Sequence, residues 1–311
     1  MRKMRVLLTG SGGMVGQNLL EHPDFSEFDV LTPRSRDLNL CDYDIVQRYL
    51  RKHRPDLVVH AAGKVGGIQA NILQPDEFLL INLDMGRNIV WASRQAGIRR
   101  LINLGSSCMY PRNHSEPLSE DMLLKGELEP SNEGYALAKI VTARLCQYIM
   151  HKDASYSYKT LIPCNIYGRH DKFDPTHSHL LPAIIHKLHQ AKQSQQKAVE
   201  IWGDGTARRE FMYSGDLAAA IIHAIKKFET LPPLMNVGLG YDYTINEYYQ
   251  TAAEVMSYTG DFIHDLTKPV GMKRKLVSVK QLQSLGWTPL HDLREGIKKT
   301  YQFYLTEHSK R

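Results

Sequence analysis

The sequence predicts an α/β protein built on a doubly wound parallel sheet, with a smaller C-terminal substrate-binding domain. Three observations predict it. A short apolar run near the start ends in a glycine-rich turn. Apolar strand-like runs then alternate with amphipathic helical patterns as far as about residue 170. Beyond that point the alternation loosens. The expected division is 1–170 mainly for a dinucleotide-binding domain and 171–311 mainly for the substrate, with some later segments returning to the first.

The elements follow in order. Arg5-Val6-Leu7-Leu8-Thr9 reads as the first strand, and Gly10-Ser11-Gly12-Gly13-Met14-Val15-Gly16 leads into a helix from Gln17. Glycines at 10, 13 and 16 match a dinucleotide fingerprint of the Rossmann type. They permit a tight turn, close backbone approach to a pyrophosphate, and close helix–strand packing. Phe28–Leu31 reads as the second strand, Asp56–His60 and Leu101–Leu104 as buried parallel strands, and Lys159–Pro163 as a further one. Helices are expected near 42–53, 76–97, 133–151, 179–193, 215–228, 244–259 and 291–306, with 190–197 as a polar loop.

The residues after the second strand select the cofactor. NAD sites place an acid about 20 residues past the glycine turn, against the ribose 2′-hydroxyl. Here that stretch is Thr32-Pro33-Arg34-Ser35-Arg36, and Asp29 lies too early, inside the strand. A guanidinium suits a 2′-phosphate by charge and fork geometry. The expected cofactor is therefore NADP(H).

Composition excludes several classes. The 311 residues are 42% hydrophobic, which is globular, and no apolar run reaches the roughly 18 residues of a membrane span. The cysteines at 41, 108, 146 and 164 have no CxxC or other metal-ligand spacing. They read as reduced thiols of a cytoplasmic protein, with no metal site. The net charge of +6 comes from scattered residues without a nucleic-acid module, and a phosphorylated cofactor and substrate account for the excess.

Tyr135 and Lys139 are spaced to share one helix face. A free phenol, with a pKa of roughly 10, is a poor base at neutral pH. A nearby ammonium is expected to stabilise its phenolate. Ser106, in Gly105-Ser106-Ser107-Cys108-Met109-Tyr110, is placed to hold a substrate oxygen beside that phenol, with Ser107 as the alternative. YxxxK alone decorates many solvated helices; the glycine turn and the serine segment give it weight.

With these segments in place the chain resembles the extended short-chain dehydrogenase/reductases, and among them the GDP-L-fucose synthase branch. The resemblance rests on His60-Ala61-Ala62-Gly63-Lys64-Val65-Gly66-Gly67-Ile68-Gln69-Ala70-Asn71, Gly105–Pro111, Glu129–Tyr135 and Asn165–Asp171 continuing to His179. It implies epimerisation at C3 and C5 of a GDP-4-keto-6-deoxy sugar, then NADPH-dependent reduction at C4. It further implies that Ser106 and Tyr135 hold the C4 oxygen, that Lys139 holds the nicotinamide ribose, and that Cys108 and His179 exchange the α-protons. Cofactor contacts are implied at Gly10, Ser11, Gly12, Gly13, Met14, Val15, Arg36, Asn39 and Leu40. They continue at Ala62, Gly63, Lys64, Gly105, Lys139, Pro163, Asn165, Ile166 and His179. Lys187, Trp202 and Arg209 would contact the GDP-sugar. A homodimer through the helices near 76–97 and 133–151 is implied too.

The C-terminal segment departs from the branch. Pro269-Val270-Gly271-Met272-Lys273-Arg274-Lys275-Leu276-Val277-Ser278 lacks an acid after the proline and carries Ser278 where aspartate is common. That leaves open a 3,6-dideoxy sugar (GDP-L-colitose synthesis), a 6-deoxyheptose, or 4-keto reduction without epimerisation. A 4,6-dehydratase is disfavoured because Cys108-Met109 supplies no acid/base carboxylate pair.

Overall fold

The computed structural model describes residues 2–174, 178–268 and 272–308. Pro269, Val270 and Gly271 of the departing segment therefore lie outside the described residues. The strands are β1 (Arg5–Thr9), β2 (Asp29–Leu31), β3 (Leu57–His60), β4 (Arg100–Leu104), β5 (Ser157–Pro163), β6 (Asn165–Tyr167), β7 (Ala198–Trp202), β8 (Arg208–Arg209), β9 (Phe211–Tyr213), β10 (Leu234–Val237), β11 (Tyr243–Thr244), β12 (Asp261–Asp265) and β13 (Arg274–Lys275). The α-helices are α1 (Met14–Glu21), α2 (Tyr43–His53), α3 (Ile68–Leu73), α4 (Pro75–Gln95), α5 (Glu133–Lys152), α6 (Leu180–Gln193), α7 (Ser214–Lys226), α8 (Ile245–Met256), α9 (Lys280–Ser284) and α10 (Leu293–His308).

The main sheet has the order β2-β1-β3-β4-β5-β10, and every neighbouring pair in it is parallel. The chain leaves β1 in one direction and returns on its other side as β3. That reversal opens a crevice at the carboxyl ends of β1 and β3, where doubly wound sheets bind ligands. Buried side chains fill both faces of the sheet. Val6, Leu8, Val59, Ile102 and Ile221 lie in one cluster and Leu7, Val58, Leu101, Ile89 and Tyr158 in the other. The alternation of β1 and β3 between two cores explains their continuous apolar sequence. A third cluster, with Leu181, Ile185, Tyr248 and Tyr304, sits among α6, α8 and α10.

Two polar contacts tie the strand ends at the crevice. Thr9 Oγ1 lies 2.8 Å from His60 Nδ1 and also accepts from the Ala62 N–H at 3.4 Å. Burial pushes the His60 pKa down to about 3, so the ring stays neutral and works as a hydrogen-bonding spacer.

The structure departs from sequence expectation in the second half. α6 ends at Gln193 as the expected 179–193 helix does, so the expected 190–197 loop begins only after it. The short α3 and the strands β6 to β13 were not anticipated, because two- to five-residue strands carry too little periodicity to read. One of them, β10, joins the edge of the main sheet.

Candidate active site

The glycine turn is built for an anionic group. Gly10 has φ of +72°, and a Cβ there would lie 2.7 Å from the Ala62 backbone. A Cβ at Gly16 would lie 2.3 Å from the Gly10 carbonyl oxygen, so the first turn of α1 packs directly on the loop. Gly13 caps α1 without a side-chain hydrogen bond, and a Cβ at Gly12 would meet open space. Ser11, Met14 and Val15 complete the turn, so the helix N–H groups and positive dipole end are free for a phosphate. Beyond β2, Arg36 is about three-quarters exposed, with Asp37 3.7 Å away. Arg34 is exposed nearby. Asp29 is spent inside β2 on Arg5, at 2.7 Å. Asn39 folds back to accept from the Cys41 N–H at 3.1 Å, while Leu40 is buried under the sheet.

The loop after β3 makes the next wall. Lys64 N–H donates to Asn82 Oδ1, and Asn82 Nδ2 returns a bond to Lys64 O, both at 3.0 Å. Lys64 Nζ pairs with Glu77. A Cβ on Gly63 would lie 3.7 Å from Lys139 Nζ, which places this loop against the Tyr–Lys helix. A cavity of ≈ 360 Å³ opens here between Gly63, Lys64, Gln69, Phe78 and Lys172.

β4 ends at Leu104, and Gly105 lets the chain turn under Met109, whose sulfur would lie 2.8 Å from a Cβ there. Ser106 caps the following turn, its hydroxyl accepting from the Cys108 N–H at 3.2 Å. Ser106 also hydrogen-bonds Tyr135, whereas Ser107 is buried; of the two serines, Ser106 faces the phenol. Lys139 lies one turn along α5 from Tyr135, with its Nζ 5.8 Å from the phenol ring centre and donating to Leu104 O at 2.9 Å.

The charge states depart from expectation. Burial is the largest influence on Tyr135 and raises its pKa, the neighbouring Cys108 adds to that, and the Ser106 bond opposes it. Lys139 does not counter the effect here; burial instead pushes its own pKa down to about 8. Tyr135 is thus a protonated phenol, suited to donate rather than accept a proton.

Cys108 has two further partners that sequence reasoning missed. Asn132 Nδ2 lies 3.1 Å and Lys275 Nζ 3.5 Å from its sulfur. His179 stands at the N-cap of α6 without a side-chain capping bond. Burial, then Lys172 and Lys275, lower its pKa. Lys275 therefore touches Cys108, and its charge is felt at His179. Asn132 was within reach of sequence reading, three residues before Tyr135; Lys275 was not, since only the tertiary fold brings it there.

Pro163 and Asn165 close the far side. Asn165 Nδ2 donates to Glu210 O at 3.0 Å, and Ile166 follows in β6. Among the expected substrate residues, Trp202 is half-exposed, its Nε1 3.0 Å from Glu200 Oε1, and Lys187 donates to Glu200 O. Arg209 is part-buried, and burial lowers its pKa against the pull of Glu129. Among the described residues no group of three or more His, Cys, Asp or Glu side chains is gathered as for a metal ion.

A parallel doubly wound sheet, an uncapped glycine turn at its crevice and a Tyr–Lys helix beside it define a nicotinamide-dinucleotide enzyme. The chain belongs to the NAD dependent epimerase/dehydratase family, whose model matches residues 6–238. It is 51% identical to a GDP-L-colitose synthase of Yersinia pseudotuberculosis over 98% of this chain and 99% of that protein. It is 49% identical to a GDP-L-fucose synthase of Azorhizobium caulinodans, over 97% and 96%. Among solved structures it resembles a GDP-mannoheptose C4 reductase from Campylobacter jejuni with NADP bound, at TM-score 0.89 and 28% identity, over 98% and 99%.

Proposed function

We propose that this enzyme is an NADPH-dependent epimerase/reductase of GDP-4-keto-6-deoxy sugars, converting GDP-4-keto-6-deoxy-D-mannose to GDP-L-fucose. The observation that carries the reading is the placement of Cys108 beside Ser106 and Tyr135.

Both C3 and C5 are α to the C4 carbonyl, so their protons become labile once that oxygen is stabilised. Ser106 and the protonated Tyr135 donate to the developing enolate oxygen. One of Cys108 and His179 removes an α-proton and the other returns one to the opposite face, which inverts the centre. Bound NADPH supplies the hydride to C4. Tyr135 then gives its proton to the C4 oxygen, and the buried Lys139 helps hold the resulting phenolate. Arg36 and the helix end at Gly13 hold the 2′-phosphate and pyrophosphate, while Lys187, Trp202 and Arg209 bind the GDP portion.

A second reading is favoured by the 51% relative: a 3,6-dideoxy substrate leading to GDP-L-colitose, with C5 alone inverted. Parallel assays of NADPH oxidation with GDP-4-keto-6-deoxy-D-mannose and its 3-deoxy counterpart separate the two. Oxidation with neither sugar sinks both.

A cytoplasmic homodimer completes the proposal. On α4, Leu80 and Trp91 are exposed at a spacing that shares one helix face; on α5, Leu137, Val141 and Tyr148 do likewise. Ile89, Val90 and Ile140 are instead buried within the subunit, and Leu145 is partly buried. The domain division near residue 170 belongs to the same proposal, with 171–311 mainly serving the sugar nucleotide.

A further inference from the structure

Two buried carboxylates tie β8 and β13 together. β13 runs parallel to β8, with Arg274 opposite Arg208 and Lys275 opposite Arg209. Side chains alternate along a strand, so Arg208 and Arg274 share one face and Arg209 and Lys275 the other. Asp242, from the segment before β11, lies buried on the first face. Its Oδ1 accepts from Arg208 Nε at 2.6 Å and its Oδ2 from Arg274 Nε at 2.5 Å. Arg208 Nη2 adds a bond to the Asp242 carbonyl oxygen at 2.6 Å. The Glu210 carboxylate braces the same segments, accepting from the N–H groups of Leu239, Gly240 and Val277 at 2.6, 3.0 and 2.9 Å. The opposite face looks into the catalytic cleft, because Lys275 Nζ lies 3.5 Å from the Cys108 sulfur. Like charges directly opposite each other on paired strands repel. The Asp242 carboxylate offsets that repulsion between Arg208 and Arg274 and adds directional, charge-assisted bonds to both strands.

We propose that Asp242 is a positioning residue: by locking β8 to β13 from behind, it fixes the backbone from which Arg209 reaches the diphosphate of the GDP-sugar. This rests on the proposed role of Arg209 in binding GDP. Tyr248 supports the same backbone, its hydroxyl donating to Arg209 O at 2.8 Å. Arg209 follows the clamped Arg208 directly, so a change in strand spacing moves its guanidinium. The sign of the effect separates position from charge. Asp242 and a diphosphate are both negative, so deleting the Asp242 charge should by electrostatics alone tighten GDP binding. Loss of position should weaken it.

The test is isothermal titration calorimetry of the NADP⁺-loaded chain with GDP. Asp242→Asn keeps the size of the side chain but offers one arginine an amide NH₂ in place of an acceptor. GDP should bind about tenfold more weakly, the scale of a lost charge-assisted hydrogen bond, while NADPH affinity stays native. With the keto sugar, KM should rise by a similar factor and kcat stay within about twofold. Arg274→Gln breaks the same clamp from β13 and should weaken GDP binding likewise. The double variant should lose no more than either single one, since both act through one contact. If Asp242→Asn does not fold, Arg274→Gln carries the readout; if neither folds, the clamp serves stability alone and the proposal falls. Native or tighter GDP binding in a folded Asp242→Asn chain overturns it. So does an equal loss of NADPH affinity, which marks general loosening. Arg209→Ala keeps the two claims apart. Weak GDP binding there, with native binding in Asp242→Asn, defeats only the Asp242 assignment. Native GDP binding in Arg209→Ala defeats the Arg209 reading itself, and the Asp242 proposal with it.

Discussion

The ammonium of Lys139 donates to the carbonyl of Leu104 at 2.9 Å, inside the fold and without a carboxylate partner among the described residues. That contact fixes the side chain beneath Tyr135, but it holds a cation where water cannot solvate it. Its pKa falls from 10.5 to about 8 as a result. Between those two values the unfolded chain binds the proton that the native chain has lost, so native stability rises with pH across that window. The burial cost is complete below about pH 8 and gone above about pH 10.5.

Lys139→Met should therefore stabilise the cofactor-free chain at pH 7 by about 1–2 kcal/mol, net of the lost hydrogen bond to Leu104. The gain should shrink as pH rises through that window, while turnover is lost. Denaturant unfolding of both chains at several pH values checks this; a destabilised Met variant at pH 7 contradicts it.

Arg36 stands in solvent where the 2′-phosphate is expected, with Asp37 3.7 Å away, while Asp29 is paired with Arg5 inside β2. Arg36→Ala should weaken NADPH binding by about 1–3 kcal/mol and leave NADH binding nearly unchanged. Fluorescence titration with both cofactors reads this directly. Equal affinities in the native chain would remove the basis for NADP(H).

At Gly16 there is no room for a methyl group. Gly16→Ala should push α1 off the Gly10 loop, cost about 1–3 kcal/mol of stability, and weaken cofactor binding at the same time. Thermal unfolding with and without NADPH checks both parts, and an unchanged midpoint with normal cofactor stabilisation would contradict the packing.

The exposed stripe on α4 and α5 predicts association at micromolar concentration. Val141→Glu with Leu80→Glu should convert the dimer to a folded monomer in light scattering. A monomeric native chain rules the dimer out.

Much of the first half was legible because its signals are local. The apolar runs of β1 and β3, the glycines between β1 and α1, and the Tyr135–Lys139 spacing each lie within a few neighbouring residues. Helices such as α2 and α5 appear within one residue of their expected bounds, because 3.6-residue periodicity accumulates over their length. The rest depends on distance along the chain. β13 is two residues long and pairs with a strand more than sixty residues earlier. Lys275 and Cys108 are separated by 167 positions. The phenol's charge state departs from expectation for a related reason: the spacing put an ammonium nearby, but burial raises the Tyr135 pKa and Lys139 does not counter it.

The central claim is that Cys108 and His179 move the α-protons while Tyr135 protonates the C4 oxygen during reduction. The most direct test follows deuterium incorporation at C3 and C5 by NMR in D₂O, alongside NADPH oxidation, on the GDP-4-keto sugar that the native chain turns over. Cys108→Ser and His179→Asn should each slow exchange by about 10²–10⁴-fold, with NADPH affinity intact in Cys108→Ser. Tyr135→Phe should abolish reduction and leave slow exchange. If Cys108→Ser and His179→Asn both retain native exchange and reduction, the account is contradicted and the enzyme is a 4-keto-sugar reductase without epimerase activity at these residues.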